Sequence, residues 1–178
     1  MQALISEDYR EQNRLLHENS NYGVAGKIYA DICNKLALNF DCETILDYGC
    51  GKRTMETFLP HLEIAGYDPA VEEYSALPAP ADLVICLDVL EHIEPEFLEN
   101  VLNHLRDLTK KVILLSVSTR PAHKTLPDGR NAHLTVEPPE WWLPGILSRW
   151  DLFTFQKSDD QFYATLTRKQ DVDHSTHR

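Results

Sequence analysis

The sequence lacks several features that would place it in a special class of protein. It has four cysteines, without a CxxC pair and without a histidine at zinc-ligand spacing, so neither a structural metal site nor a disulfide framework is indicated. It has no low-complexity run and no stretch of roughly 20 apolar residues that could span a bilayer. The segment Met1–Asn21 has no apolar core of a signal peptide. We expect a cytoplasmic protein with reduced thiols, no metal and no membrane contact.

Positive charge is also scarce. The chain has 17 Lys and Arg against 28 Asp and Glu, for a net charge of -11. This field repels polyphosphate and disfavours extended nucleic acid as a partner, although a local basic patch could receive a small anion or a short nucleotide. With 178 residues and 43% hydrophobic residues, the composition predicts one globular domain over residues 1–169, followed by a disordered tail over residues 170–178.

Apolar runs alternate with helical segments along the chain, which predicts an α/β fold. The nearly continuous apolar runs are typical of parallel strands that are covered on both faces. The predicted helices are Asp8–Glu18, Val24–Leu38, Thr54–Leu59, Pro95–Leu108 and Glu140–Arg149, the last with Trp141 and Trp142 packed inward. The predicted strands are Thr44–Gly49, Glu63–Tyr67, Ala81–Leu87 and Lys111–Val117, with a closing hairpin of Asp151–Gln156 and Phe162–Thr167.

Two short motifs predict a nucleoside-containing ligand. The segment Asp47–Arg53, DYGCGKR, lies between a strand and a helix, where glycines let the backbone turn sharply and approach a ligand closely. Asp68 ends the next strand, 21 residues after Asp47, and a carboxylate there can accept hydrogen bonds from both hydroxyls of a ribose. The nicotinamide pattern G-x-G-x-x-G is not completed, because Thr54 stands at its third glycine position. A dehydrogenase is therefore disfavoured.

A third segment completes a resemblance to a known family. ILDYGCG, then GYD, then ADLVICLDVLEHI resembles the class I S-adenosylmethionine-dependent methyltransferases in order and spacing, from about Val24 to Arg168. The resemblance implies a Rossmann-like sandwich, with a mostly parallel sheet and a C-terminal antiparallel hairpin. It also implies that the protein is a methyltransferase with S-adenosylmethionine as its cofactor.

The resemblance implies a set of cofactor-binding residues at the strand ends: Asp47, Gly49, Gly51, Asp68, Leu87 and Asp88. The first three would hold the methionine part, the fourth would hold the ribose, and the last two would line the pocket beside the sulfonium. The N-terminal helices, residues 1–40, would cover this site, with His17 and Tyr22 as candidates to close over the cofactor.

Two departures from the family pattern leave other functions open. Arg53 stands where the family often has a third glycine, and its side chain is expected to crowd the ligand or the helix packing. Only 13 residues, Pro69–Ala81, precede the next strand, so the third edge strand is predicted to be reduced or absent. A degenerate binding protein, its pocket occluded by Arg53, is one alternative. An enzyme that uses S-adenosylmethionine for another reaction is a second, because a fold does not dictate a reaction.

The long polar connection Arg120–Pro139 predicts an acceptor site. It leaves the carboxyl end of a strand, which faces the ligand crevice in an open α/β sheet. Within an acidic protein, Arg120, Lys124 and Arg130 predict a small anionic acceptor, such as a carboxylate, a phosphosugar or a nucleotide. The chain has no DPPY-like or NPPY-like segment, which disfavours methylation of a nucleic-acid amino group.

Candidate catalytic residues lie on the same connection. A general base is needed only if the acceptor is a hydroxyl or a protonated amine. His123 and His133 are the candidates, with Asp88 behind them. Glu91 and His92 are expected to be structural, because this pair stands at a loop-to-helix junction in similar proteins.

Overall fold

Strands and helices alternate in the order that the sequence predicts. A computed structural model describes residues 2–17 and 26–169. The helices are α1 (Glu7–His17), α2 (Gly26–Asn39), α3 (Thr54–Phe58), α4 (Leu98–Leu108) and α5 (Pro139–Leu147), and the strands are β1 (Ile45–Tyr48), β2 (Ile64–Tyr67), β3 (Ala81–Leu87), β4 (Thr109–Ser118), β5 (Trp150–Lys157) and β6 (Gln161–Arg168). No helix in these described ranges is long and apolar enough to cross a membrane. The predicted tail, residues 170–178, lies outside the described residues.

The six strands of the described residues form one sheet in the order β2-β1-β3-β4-β6-β5. β2, β1, β3 and β4 are parallel, whereas β6 pairs antiparallel with both β4 and β5. The α/β fold and the C-terminal hairpin are therefore confirmed. Residues 68–80 are all described and contain one 3-10 turn, Glu72–Tyr74, but no strand. The predicted loss of the third edge strand is also confirmed.

The sheet separates two apolar cores, because successive strand residues point to opposite faces. In β3, Val84 and Cys86 pack with residues of α4 and α5, whereas Leu83 and Ile85 pack with residues of α2 and α3. Burial on both faces explains the apolar run Leu83–Leu87 of this strand. Each fully buried Leu or Ile side chain contributes about 1.5–3 kcal/mol to the stability of the fold, relative to the same side chain exposed to water. These contacts fix the strand ends that surround the candidate site.

The four parallel strands bring their carboxyl ends to one edge of the sheet. Gly49 follows β1, Asp68 follows β2, Asp88 follows β3 and Thr119 follows β4. In open α/β sheets this edge holds the ligand crevice. Residues that are up to 70 positions apart in sequence therefore meet there.

Two local predictions need correction. The helix predicted to begin at Pro95 starts as a 3-10 turn and becomes α-helical at Leu98. Trp141 does not pack inward: it is 49% exposed, whereas Trp142 is 2% exposed. With 3.6 residues per turn, adjacent helical residues point about 100° apart, so the two indoles cannot share one buried face.

Candidate active site

The loop after β1 turns sharply at two glycines. Gly49 has a φ of 80° and Gly51 has a φ of 46°. The N–H groups of Gly49 and Cys50 donate to the carbonyl oxygen of Tyr67, at 2.7 and 3.1 Å, and tie the loop to the end of β2. A Cβ atom at Gly49 would overlap the side chain of Val89. Backbone conformation and close packing both require glycine at position 49.

Asp68 joins the ends of β1 and β2. Its carboxylate is buried, with Oδ2 accepting the N–H of Gly51 at 3.1 Å and Oδ1 accepting the N–H of Ala70 at 2.9 Å. Both hydrogen bonds are charge-assisted. A carboxylate has about four lone-pair sites, so these bonds are compatible with further bonds from ligand hydroxyls. The residue predicted to hold the ribose is fixed beside the glycine loop.

Arg53 points away from the carboxyl edge of the sheet. Its backbone has φ 54° and ψ 39°, the left-handed conformation that glycine adopts readily. Its guanidinium lies 5.2 Å from the ring centre of Tyr74 and donates to the Ile64 carbonyl and the Glu56 carboxylate. Ile64 begins β2, roughly 13 Å before Asp68 at the usual rise per strand residue. The guanidinium is thus directed toward the opposite end of β2.

Asp47 lies near the end of β1, on the face that packs against α2 and α3, as Ile45 does. Burial raises the pKa of Asp47 to about 7; the nearby Arg53 lowers it, and Asp68 and Glu56 raise it further. A positively charged ligand would favour the ionised carboxylate. The residue is therefore suited to a cationic partner.

Asp88 turns the chain out of β3. It has a φ of 54°, unusual for a residue other than glycine. Its N–H donates to Ser116 Oγ at 2.9 Å, and the Ser116 hydroxyl donates to Asp88 Oδ1 at 2.7 Å. Leu87 stays partly buried against the core beneath α2 and α3. The reciprocal pair with Ser116 holds the Asp88 carboxylate at the edge of the sheet.

Glu91 lies in the 3-10 turn Leu90–His92 and is wholly buried. Its Oε1 accepts the N–H of Ser118, at the end of β4, at 2.8 Å. Its Oε2 has no hydrogen-bond partner within the described part of the chain. Burial, followed by the negative charge of Asp88, raises the pKa of Glu91 to about 8. The expected structural role therefore accounts for only one of its two oxygens.

The long connection after β4 is an ordered loop. Thr125 and Asn131 form an isolated antiparallel bridge, and the Leu126 side chain between them is buried. The Asn131 amide exchanges hydrogen bonds with the backbone of Ala122, each of 2.9 Å, and also accepts the N–H of His133 at 2.9 Å. These bonds hold the polar side chains of the loop in place over the sheet edge.

A cleft of about 380 Å³ opens between this loop and the ends of β3 and β4. Its lining includes five predicted site residues: Asp88, Arg120, His123, Lys124 and His133. Glu91, His92, Ser118, Asp160 and Gln161 also line it, together with residues 121, 122 and 132. The structure therefore brings together both candidate bases and two of the three candidate anion-binding residues.

Arg130 does not line the cleft. Its Nε donates to Asp128 Oδ2 at 2.6 Å, and its Nη2 lies 3.8 Å from a carboxylate oxygen of Asp8 on α1. The turn at Gly129, with a φ of 90°, directs Arg130 toward these partners. It links the loop to α1 rather than to the cleft.

Hydrogen bonds orient the histidines of the cleft. His133 Nδ1 donates to the carbonyl of Arg120 at 2.6 Å, and His92 Nδ1 donates to the carbonyl of Ala132 at 2.7 Å. The two rings stand edge to face, with centres 4.7 Å apart. His123 Nε2 lies 3.0 Å from Arg120 Nη1, and since a guanidinium only donates, His123 accepts this bond.

The sequence did not identify several residues around the cleft. Tyr29 on α2 reaches Gln161, with 3.4 Å between its hydroxyl and Oε1. Burial raises the pKa of Tyr29, and the charge of Asp88 raises it further. Asp160 forms an ion pair with Arg120, with 3.1 Å between Asp160 Oδ2 and Arg120 Nε. Tyr22 and the side chain of His17, the predicted closing residues, lie outside the described residues.

Comparisons with known proteins identify the family and the fold. A family model described as a methyltransferase domain matches residues 16–155. No curated protein matches the chain. Three solved structures share the fold: the N-methyltransferase NodS from Bradyrhizobium japonicum WM9 (TM-score 0.63, 13% identity, 92% of this chain and 100% of that chain), the 1,6-didemethyltoxoflavin-N1-methyltransferase from Burkholderia thailandensis (0.64, 14%, 96% and 94%) and the magnesium protoporphyrin IX methyltransferase ChlM from Synechocystis PCC 6803 (0.60, 17%, 91% and 97%). The family model spans most of the chain, and the chain therefore belongs to the methyltransferase family that its motifs predicted.

Proposed function

We propose that the protein transfers a methyl group from S-adenosylmethionine to a small anionic acceptor. The observation that carries this proposal is the adjacency of two half-sites at one sheet edge. The first, the cofactor half, is the loop Asp47–Arg53 with Asp68. The second, the acceptor half, is the set of residues that line the cleft. Because β1 pairs directly with β3, the two halves border each other at Asp88.

The cofactor half has the groups that an adenosyl sulfonium requires. Asp68 presents a fixed carboxylate for ribose hydroxyls, and the turns at Gly49 and Gly51 let the backbone approach the ligand. The structures of NodS, ChlM and the Burkholderia enzyme were all determined with S-adenosylhomocysteine bound, which supports the same cofactor here. When bound, S-adenosylmethionine supplies a methyl group on a positively charged sulfur. Orientation and exclusion of water then provide much of the rate.

The acceptor half has the size and charge for a small anion. Its volume of about 380 Å³ is within the range of small-molecule sites. Arg120 and Lys124 add positive charge to the lining of a protein whose net charge is -11. The Burkholderia enzyme was crystallised with 1,6-didemethyltoxoflavin, a small molecule, which supports an acceptor of that size. Arg130 has no direct part in this proposal.

A proton on the acceptor has a route to a base within the cleft. His123 accepts a hydrogen bond at Nε2 and is therefore held as a neutral imidazole there. His133 is fixed through Nδ1, so in its neutral form the lone pair is on Nε2. Asp88 stands behind them, held by Ser116. His133 can remove a proton from a hydroxyl or a protonated amine through the lone pair on Nε2, and His123 can do so once Arg120 releases its Nε2.

We place this reaction in the cytoplasm. All four cysteines, Cys33, Cys42, Cys50 and Cys86, are free thiols. Such thiols persist in a reducing compartment.

Calorimetry with S-adenosylmethionine and S-adenosylhomocysteine tests the cofactor half directly. We expect each to bind with one molecule per chain. Absence of binding by both at millimolar concentration would remove the proposal. Asp68→Asn should weaken both, because the ribose hydroxyls lose an ionised acceptor.

Product analysis by mass tests the reaction. Carboxylates, phosphosugars and nucleotides are incubated separately with S-adenosylmethionine and the full chain. A methylated acceptor supports the proposal. 5′-Methylthioadenosine would indicate a different reaction of the same cofactor, and cofactor binding without turnover of any acceptor would indicate a binding protein. Both results contradict methyl transfer.

A further inference from the structure

Three potential metal ligands meet in the lining of the cleft. Glu91, His92 and His133 each offer one ligand atom, and these atoms lie within 4.8 Å of one another. Glu91 and His92 come from the 3-10 turn after β3, whereas His133 comes from the loop after β4. The spacing of the cysteines and histidines in the sequence did not indicate a metal site. This cluster forms only when two segments that are distant in sequence pack together.

The hydrogen bonds of the two histidines suit a metal ion. Each Nδ1 donates to a backbone carbonyl, of Ala132 for His92 and of Arg120 for His133. In the neutral rings this leaves the lone pair on Nε2. Metal-binding histidines characteristically donate their other ring N–H to a carbonyl or carboxylate, which fixes both tautomer and orientation.

Glu91 provides an independent reason for a ligand at this point. The residue is 0% exposed, and its Oε2 has no hydrogen-bond partner in the described ranges. A buried carboxylate oxygen without a partner is costly and calls for an explanation. Asp88 adds a second negative group beside the same cleft. A cation would provide the missing partner for Glu91 Oε2 and would offset the negative charge of Asp88.

We propose that Glu91, His92 and His133 bind a first-row divalent transition-metal ion, such as Zn²⁺, Co²⁺ or Mn²⁺, within the acceptor half. Two imidazoles and one carboxylate form a donor set that these ions accept, whereas Mg²⁺ prefers oxygen ligands. Tetrahedral bonds of about 2.0–2.2 Å place ligand atoms roughly 3.4 Å apart. Rotation of the side chains must therefore shorten the longest separation by at most about 1.4 Å.

The site also narrows the acceptor class, a step that rests on the proposed function. Three protein ligands leave a coordination position open toward the cleft, where an acceptor oxygen can bind and a hydroxyl can lose its proton more easily. As Arg120 exchanges its bond to His123 Nε2 for the negative group of the acceptor, the hydroxyl proton passes to that nitrogen, the oxygen forms its bond to the methyl carbon, and the carbon–sulfur bond breaks with its electron pair kept on sulfur. Arg120 and Lys124 bind the negative group of the same molecule. We infer an anionic hydroxy compound as the acceptor.

Titration with Co²⁺ and Zn²⁺ alone tests the site without any enzymatic activity. The full chain is titrated by calorimetry, and Co²⁺ is also followed by its visible absorption, which reports imidazole coordination. We expect one ion per chain, bound at least about tenfold more weakly by His92→Asn, His133→Asn and Glu91→Gln. These substitutions are conservative: Asn can still donate to the carbonyl, and Gln can still accept the N–H of Ser118.

Two controls separate this cluster from other histidines. His61→Asn removes a histidine that is exposed and bonded to Asn34, and it should bind Co²⁺ as the wild type does. The double variant His174→Ala/His177→Ala removes the histidines of the C-terminal segment and should also retain the site. Loss of binding in this double variant alone would overturn the proposal, as would undiminished binding by His133→Asn and Glu91→Gln.

A crystal soaked in Zn²⁺ keeps the proposal testable if the variants fail to fold. Anomalous scattering should place the ion among the three side chains, and an ion elsewhere, or none at millimolar Zn²⁺, contradicts the site. Calorimetry with S-adenosylhomocysteine is run on the same preparation. Cofactor binding without metal binding overturns this inference alone, whereas metal binding without cofactor binding overturns the proposed function.

Discussion

The cofactor half and the acceptor half are built in different ways. The cofactor half consists of one short loop and one strand end, and its N–H groups are paired with Tyr67 and Asp68. The acceptor half collects side chains from the ends of β3 and β4, a long loop and the final hairpin, and it leaves Glu91 Oε2 without a partner among the described residues. The first arrangement stabilises the fold while shaping a ligand site. The second adds reactive side chains to a fold whose stability does not depend on them.

Gly49→Ala should have the largest effect, because it lowers the stability of the fold and also disrupts the cofactor site. The added Cβ would overlap Val89, and the φ of 80° is unfavourable for alanine. We expect a loss of about 2–4 kcal/mol in the free energy of unfolding from overpacking and backbone strain. S-Adenosylhomocysteine binding should be abolished. Urea unfolding and calorimetry measure the two effects.

Gly129→Ala is the matched control for this prediction. Gly129 has a φ of 90°, but an added Cβ there would meet nothing within 4 Å. Its cost should be limited to backbone conformation, about 1–2 kcal/mol, with cofactor affinity unchanged. Equal losses in the two variants would show that the contact with Val89 is unimportant.

Asp68→Asn should have the next largest effect. An Asn can accept only one of the N–H bonds of Gly51 and Ala70, and it presents an amide N–H₂ to the other. Charge-assisted hydrogen bonds contribute about 1.5–3 kcal/mol, so cofactor affinity should fall at least tenfold and unfolding should become easier. Calorimetry at matched temperature and salt gives the affinity.

Asp82→Asn separates stability from binding in that experiment. Asp82 also accepts two backbone N–H groups, those of Glu43 and Thr44 at 3.0 and 3.3 Å, but it lies at the opposite edge of the sheet. We expect it to lower stability and to leave cofactor affinity unchanged. A similar drop in affinity would mean that Asp68 acts only through the fold.

The pKa of Asp47 predicts a pH-dependent effect on stability in the cofactor half. Burial raises this pKa from 3.8 to about 7, so between these values the folded state holds a proton that the unfolded state has released. The stability due to that proton is present in full at low pH and is lost as pH rises through 7. Relative to Asp47→Asn, the wild type should lose up to about 1.4 kcal/mol per pH unit in this window. Urea unfolding of both proteins across this pH window measures the difference between their free energies of unfolding. A difference that does not change with pH would mean that the Asp47 carboxyl group is already ionised.

The same contrast explains how far the sequence could be interpreted. The glycine loop and Asp68 follow from local rules, and a count of 13 residues was enough to predict the missing edge strand. The contact of Tyr29 with Gln161 depends on the register of β4 and β6, which pairs Ser118 with Gln161. No short motif encodes that register, because both strands are apolar over several residues.

Arg130 and Glu91 show the same limit within the acceptor half. The charge pattern groups Arg130 with Arg120 and Lys124, but the turn at Gly129 aims it at Asp128 and Asp8. Glu91 looks like an ordinary junction residue until packing encloses one of its oxygens without a partner. Both outcomes depend on the path of a long loop, and a path of this kind is fixed by tertiary contacts rather than by local propensity.

Arg120→Gln should have the smallest effect on the fold and therefore gives the sharpest test of the contrast. Arg120 and its partner Asp160 each have side chains that are 50% exposed, so the lost ion pair should change the free energy of unfolding by no more than about 0.5 kcal/mol. The KM for the acceptor should rise roughly tenfold, because a charged hydrogen bond is lost. Cofactor affinity should stay the same. Arg106→Gln, which removes a comparably exposed arginine paired with Asp107, should change none of these quantities. If Arg120→Gln instead lowers stability and cofactor affinity together, the acceptor half supports the fold as the cofactor half does, and the division between them is wrong.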